Sequence, residues 1–137
     1  MDFVIEQPAL ARLVAAGDRE FPVSATLRYT AADPLAVFLD FPPEAALDGS
    51  GVTWAFARSL LEQGLRTPAG RGDVRIWPYE RTRTVLEFHS PQGLALLLFP
   101  TAALRRFLLR THAVVAAGQE DVAAVVERGL DTLFGGV

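Results

Sequence analysis

GVTWAFARSLLEQGLRTPAGRGDVRIWP, residues 51 to 78, reads as a strand, one short helix, a glycine-rich turn and a second strand. Val52, Trp54 and Phe56 alternate as a half-buried strand requires. Arg58 to Gln63 then supplies good helix formers, and Gly64 ends them, because glycine accepts the left-handed conformation of a helix C-terminus. Thr67-Pro68-Ala69-Gly70-Arg71-Gly72 turns the chain into Asp73 to Trp77, where Val74 and Ile76 alternate again.

Upstream of this block the pattern is β. Phe3 to Val14 predicts a first strand, broken or bent near Pro8 because proline cannot donate to a ladder. A turn at Gly17-Asp18-Arg19 leads to a second strand over Phe21 to Tyr29. Asp33-Pro34 opens another turn, since the residue before proline is pushed away from helix. Leu35 to Phe41 follows as a third strand, and Pro42 to Gly51 as a loop. Downstream, Arg83 to Ser90 alternates, Pro91-Gln92-Gly93 makes a tight connection, and Leu94 to Phe99 is apolar on both faces, as suits a central strand or one covered by another subunit. Leu104, Phe107, Leu108 and Thr111 form a helical stripe after Pro100-Thr101. After Gly118, Gln119-Glu120-Asp121 starts a last helix with the stripe Val122, Val125, Val126, Leu130, Leu133 and Phe134. The expectation is one α+β domain over residues 1–137, with antiparallel sheets of about seven strands and about three helices in the order ββββ-α-βββ-αα.

Composition narrows the chemistry. A chain of 137 residues, half of them hydrophobic, can form a sizeable core without disulfides or metal. Its net charge of −3 gives no overall attraction to nucleic acid or an anionic membrane. No apolar run approaches a membrane span, and MDFVIEQPAL lacks the positive start and apolar centre of a secretion signal, so a cytoplasmic location is expected. Cysteine is absent, which removes thiol nucleophiles and cysteine-based metal sites. Lysine is absent too, all thirteen basic residues being arginine, which excludes a Walker A loop and a Schiff-base lysine.

The remaining polar groups do not compose a catalyst. His89 lies beside Glu87, a pair able in principle to do acid–base work but more often structural. Gly49-Ser50-Gly51 lacks the frame of a nucleophile elbow, and Gly70-Arg71-Gly72 leads into a strand where phosphate binding needs a helix N-terminus. No catalytic residue, cofactor or metal site is assigned. Two surfaces stand out instead. Arg75, Trp77, Tyr79, Arg81 and Arg83 interleave arginine with aromatics, the pattern of single-stranded nucleic-acid platforms and also of a basic face that meets a protein. Leu94, Leu96, Leu97, Leu98 and Leu109 exceed what one subunit's core needs, and an oligomer interface is expected there.

The central block resembles the signature segment of the SsgA-like proteins, a small actinobacterial family of sporulation and cell-division proteins. The match runs through Leu27-Arg28-Tyr29, Asp33-Pro34-Leu35-Ala36-Val37, Trp54-Ala55-Phe56-Ala57-Arg58, Leu60-Leu61 and Gly64-Leu65. It continues through Pro68, Gly70, Gly72-Asp73-Val74-Arg75, Trp77-Pro78, Ser90-Pro91 with Gly93, and Phe107-Leu108 with Arg110-Thr111. Within the family the chain looks most like the B type, although Ser59 stands where an acidic residue is usual. The resemblance implies a whirly-like fold, a homotrimer and a non-enzymatic role at the division septum. Its partners would be the tubulin-like GTPase FtsZ, which the B type helps to bring to future septa, and other SsgA-like proteins. A single-stranded nucleic-acid binder of whirly-like fold is the alternative.

Overall fold

The computed structural model describes residues 4–43, 51–91 and 93–120. Its elements run β1 (Val4–Ala15), β2 (Arg19–Thr30), β3 (Ala36–Phe41), β4 (Val52–Ala57), α1 (Arg58–Gly64), β5 (Val74–Tyr79), β6 (Arg83–Ser90), β7 (Gly93–Pro100) and α2 (Thr101–Val114). Seven strands and their order agree with expectation. Two α-helices stand among the described residues instead of the three expected, and the last predicted helix, with most of the predicted 42–51 loop, falls outside them.

All pairings are antiparallel, in one sheet of order β4-β3-β2-β1-β7-β6-β5. Two meanders, β1 to β4 and β5 to β7, therefore join where β1 meets β7. β7 is central, which accounts for its apolar character on both faces: Leu97 and Phe99 enter the main core, while Leu98 is buried on the opposite face. β1 runs unbroken through Pro8, which pairs with Thr26, so the expected break does not occur. β1 meets β7 only at Arg12 and Leu13, leaving no ladder partner on that side of Pro8 for a missing N–H to disturb. β3 begins one residue later than expected, and Leu35 is exposed.

The sheet curls. Trp54 on β4 and Phe88 on β6 are five strands apart in sheet order, roughly 24 Å if the sheet were flat at ~4.8 Å per strand. Their ring centroids lie 4.9 Å apart, and Phe41 of β3 meets the same Phe88 ring edge-on at 6.1 Å. The inner face thus closes on itself at one end through aromatic contacts. At the other end α2 lays Leu104, Phe107 and Leu108 into the curl, where they join Leu27, Tyr29, Leu39 and Phe99. Gln7 of β1 anchors the helix, donating from Nε2 to the Ala103 carbonyl at 2.9 Å and accepting from Arg110.

The edge strands β4 and β5 do not pair, and α1 connects them directly across the seam. The fit is close at Gly64, where a Cβ would stand 2.3 Å from Ile76 Cγ2. The turn after α1 folds back along β5 through two backbone bonds between Ala69 and Ile76, at 2.8 and 2.9 Å. Gly70 makes this possible with φ of +108°, and a Cβ there would meet the Val74 carbonyl at 2.4 Å.

Arg58 locks these parts together. Positions 52, 54, 56 and 58 continue one strand parity, so the side chain at the β4–α1 junction points inward, where it is 2% exposed. Its guanidinium donates to the Val115 carbonyl at 2.7 Å, to Thr111 Oγ1 at 3.4 Å and to Glu120 at 2.6 Å. It also lies 5.2 Å from the centroid of the Tyr29 ring, whose hydroxyl donates to the Pro34 carbonyl at 2.9 Å. One cation thus joins the seam helix, β2 and the C-terminal end of α2.

Two stability outcomes follow from these contacts. Gly64→Ala forces β5 off α1 and lowers unfolding stability by about 1–3 kcal/mol in a denaturant titration; an unchanged midpoint would show that the seam is loose. Arg58→Met leaves Glu120 and the Val115 carbonyl without their donor. Its cost is about 2–4 kcal/mol, below that of a fully buried pair because Glu120 reaches solvent. Stability equal to that of the parent would refute the clamp.

Candidate interaction surfaces

β5 alternates cleanly, with Val74 and Ile76 inward and Arg75, Trp77 and Tyr79 outward. The register sets Arg75 opposite Glu87, Trp77 opposite Val85, and Tyr79 opposite Arg83. The expected arginine–aromatic patch therefore assembles on the outer face of the β5–β6 ribbon, with Arg81 exposed in the connecting turn. Much of its charge is already answered. Arg83 donates to Glu80 at 2.8 and 3.2 Å and to Glu20 of β2 at 2.9 Å. Its guanidinium lies 5.6 Å from the Tyr79 ring centroid. Glu80 is held below the usual carboxylate range by the hydrogen bonds from Arg83. Arg75 stands 3.9 Å from Glu87, within ion-pair range only.

Glu87 also lies 3.1 Å from His89 Nε2, without hydrogen-bond alignment. The two side chains thus come together on the outer face, but with no aligned proton path between them. Among the described residues no three histidines or carboxylates converge as a metal site would require.

The leucine set divides. Leu97 and Leu98 are each 4% exposed, consumed within the chain's own fold. Leu94 is 54% exposed and Leu96 is half-buried on the outer face of β7. Leu109 is 71% exposed on the solvent side of α2. They are therefore not one patch. An apolar pocket of about 120 Å³ opens at the aromatic end of the curl, lined by Phe41, Trp54, Phe88 and Leu97 with their neighbours. A second cavity, of about 300 Å³, lies between α1 and α2, where Leu65, Leu108 and Leu109 meet Arg66 and Arg105.

A polar network absent from the sequence reading crosses the outer face of β2, β3 and β4. Arg28 donates to both oxygens of Asp40, at 2.9 and 3.2 Å, and Thr53 donates to Asp40 at 2.7 Å. The Arg28 hydrogen bonds hold Asp40 below its ordinary pKa, and those from Arg58 do the same for Glu120. Register alone could have placed Arg28 beside Asp40, but register is a product of the fold.

Comparison with known proteins agrees over nearly the whole chain. A family model described as "Streptomyces sporulation and cell division protein, SsgA" matches residues 23–120. The sporulation-specific cell division protein SsgB of Salinispora tropica is 44% identical over 135 residues, covering 96% of this chain and 94% of the relative. The SsgB protein of Streptomyces coelicolor is 45% identical over 112 residues, covering 80% of each. A solved SsgA-like sporulation-specific cell division protein from Thermobifida fusca superposes with a TM-score of 0.84 at 31% identity, covering 96% of both chains. Another solved structure, described with SsgB mutations that correlate to longitudinal cell division during sporulation of Streptomyces coelicolor, gives a TM-score of 0.82 at 40% identity over 90% of this chain and 97% of the other.

Depressed carboxylate pKa values carry a sign. Asp40 and Glu120 contribute stability in full above the unfolded carboxylate range of about 4 to 4.5, and that contribution is lost as pH falls through their lower folded values. Unfolding midpoints are expected to hold steady from neutral pH to about 5.5 and to drop on further acidification. Asp40→Asn combined with Glu120→Gln should lower the neutral plateau and flatten the acid limb. A limb as steep as the parent's would assign the acid sensitivity to other groups.

Proposed function

We propose, since the chain belongs to the SsgA family of sporulation and cell-division proteins, that it acts as a non-enzymatic regulator of sporulation-specific cell division. In this reading it works at the septum by protein–protein contact and helps to bring the tubulin-like GTPase FtsZ to future division sites. The observation that carries it is likeness to SsgB proteins over almost the full length of both partners, at 44% identity. The geometry supports it: Arg28 with Asp40 and Arg83 with Glu20 and Glu80 pair with one another, while Leu94, Leu109 and several arginines stay open to solvent.

Self-association belongs to the same proposal. The chain forms a homotrimer, with Leu94 and Leu96 on the outer face of β7 as the contact. Leu109 lies on α2 and serves another purpose. A cyclic trimer multiplies a weak partner contact through avidity, which suits binding to a polymer.

The second reading, a single-stranded nucleic-acid binder, draws on the outward row Arg75, Trp77 and Tyr79 on β5. Glu20, Glu80 and Glu87 weaken it by standing against Arg83 and Arg75.

Polymerised FtsZ should carry the protein into the pellet on centrifugation, with light scattering of the free protein giving three times the monomer mass. Leu94→Glu with Leu96→Glu should give monomer and reduce pelleting. Failure to pellet at micromolar concentrations removes the recruitment reading. Salt-sensitive anisotropy with mixed-sequence oligonucleotides, in its place, would establish the second reading.

A further inference from the structure

We propose that the groove between α1 and α2 docks an acidic segment of a partner protein through an apolar anchoring side chain flanked by carboxylates. The inference rests on the reading that the chain works through protein contacts, and it names the surface and the chemistry of its partner. Leu65 and Leu108, both at the edge of the core, form the floor, and Leu109 rises beside them as the most exposed large apolar side chain among the described residues. The cavity of about 300 Å³ is open to solvent and lies at the lower end of the ~300–1,000 Å³ usual for binding pockets. An adjoining cavity of about 340 Å³, lined by Glu62, Gln63, Arg66 and Thr67, lengthens it along α1. The site is thus a trough that accepts a chain segment.

Charge decides what fits. Arg66, in the turn that follows α1, and Arg105 of α2 face the trough from its two sides, and among the described residues neither has a carboxylate within ion-pair distance. The one carboxylate in the lining, Glu62, is taken by His112 Nε2 at 3.0 Å. Arg106 and Arg110 add to the positive charge on the exposed face of α2 around Leu109. A concentration of guanidinium groups without carboxylate partners among the described residues around an exposed leucine, in a chain whose net charge is −3, is complementary to carboxylates beside an aliphatic or aromatic side chain; Arg110 among them also donates to Gln7. The groove is lined by no Phe, Tyr or Trp among the described residues, and its one ring, His112, is engaged with Glu62, which sets it apart from the β5–β6 face and disfavours nucleic acid here.

The probe is a short fluorescein-labelled peptide of Asp, Glu, Leu and Phe, titrated with the full chain and followed by anisotropy. Three further probes accompany it: the same peptide with Lys for its acidic residues, with Ser for its apolar residues, and a single-stranded oligonucleotide. Saturable, salt-sensitive binding of the acidic–apolar peptide alone is expected. Arg66→Glu with Arg105→Glu should weaken it roughly tenfold or more, Leu109→Ser should weaken it, and Arg19→Glu on the β1–β2 hairpin should leave it unchanged. Circular dichroism checks that each variant is folded, and Arg66→Lys with Arg105→Lys should keep part of the affinity, since all of these positions are exposed. Equal binding by the charge-reversed protein, equal binding of the Ser-containing peptide, or preference for the oligonucleotide overturns the proposal. Loss of trimer mass in Leu109→Ser also overturns it, by assigning the groove to a second copy of the chain. FtsZ pelleting separates this inference from its premise. If the arginine variants still pellet with FtsZ and bind the peptide as well as the parent does, the groove proposal falls alone; if the peptide binds and FtsZ does not pellet the parent, the recruitment reading falls alone.

Discussion

A guanidinium removed from water is costly unless acceptors replace the lost water, and Arg58 gathers three of them, together with the Tyr29 ring, from distant parts of the chain. Its carbonyl and hydroxyl partners lie more than fifty residues downstream, and Tyr29, under its face, lies almost thirty upstream. The Tyr29 hydroxyl, pushed up in pKa by burial and pulled back by the Arg58 charge, stays a proton donor to the Pro34 carbonyl. The position of α2 relative to the seam is thus set by hydrogen-bond satisfaction as well as by apolar contact. A shift of the helix by one turn would leave a buried cation unanswered.

The curl of the sheet follows a related logic. An open seven-stranded sheet with one apolar face must cover that face, and the two helices among the described residues do not cover all of it. Bending brings Phe41 and Trp54 from one meander onto Phe88 of the other, so one end of the sheet covers itself. The helices serve the other end, and α1 does so at the gap between the two unpaired edges. Gly64 is the point of closest approach.

What remains outside is organised by charge. On the β-faces, arginines stand against carboxylates: Arg28 with Asp40 across strands, Arg83 with Glu20 of β2 and with Glu80 in its own turn. On the helical side the arginines beside Leu109 lack such partners among the described residues. Arg12, Arg19 and Arg81 also stand without carboxylate partners on the sheet side, but among the described residues only at the trough do unpaired arginines flank an apolar cavity. For a family whose members are named for cell division and not for a reaction, chemistry of this kind belongs to contact.

Strand periodicity, turn residues and the helical stripe of α2 were legible because they express local geometry: Val74 and Ile76 face inward whatever they pack against. Gly64 is the last residue of α1, but in right-handed backbone and not the left-handed conformation expected of it; the structure needs glycine there because Ile76 packs where a Cβ would stand. The arginine–aromatic row on β5 was legible for the same reason. The neutralisation of Arg83 was not, because Glu20 lies more than sixty residues away. Leu94 to Leu98 could be read as surplus, yet only the central place of β7 decided that Leu97 and Leu98 are consumed inside while Leu94 stays out. The order of residues by itself determined elements, the absent reactive groups and the family, since each depends on residue type and spacing along the chain. Tertiary structure alone decided the curl, the inward turn of Arg58 and the trough beside Leu109, because each arises where segments distant in sequence compete for the same space and the same charges.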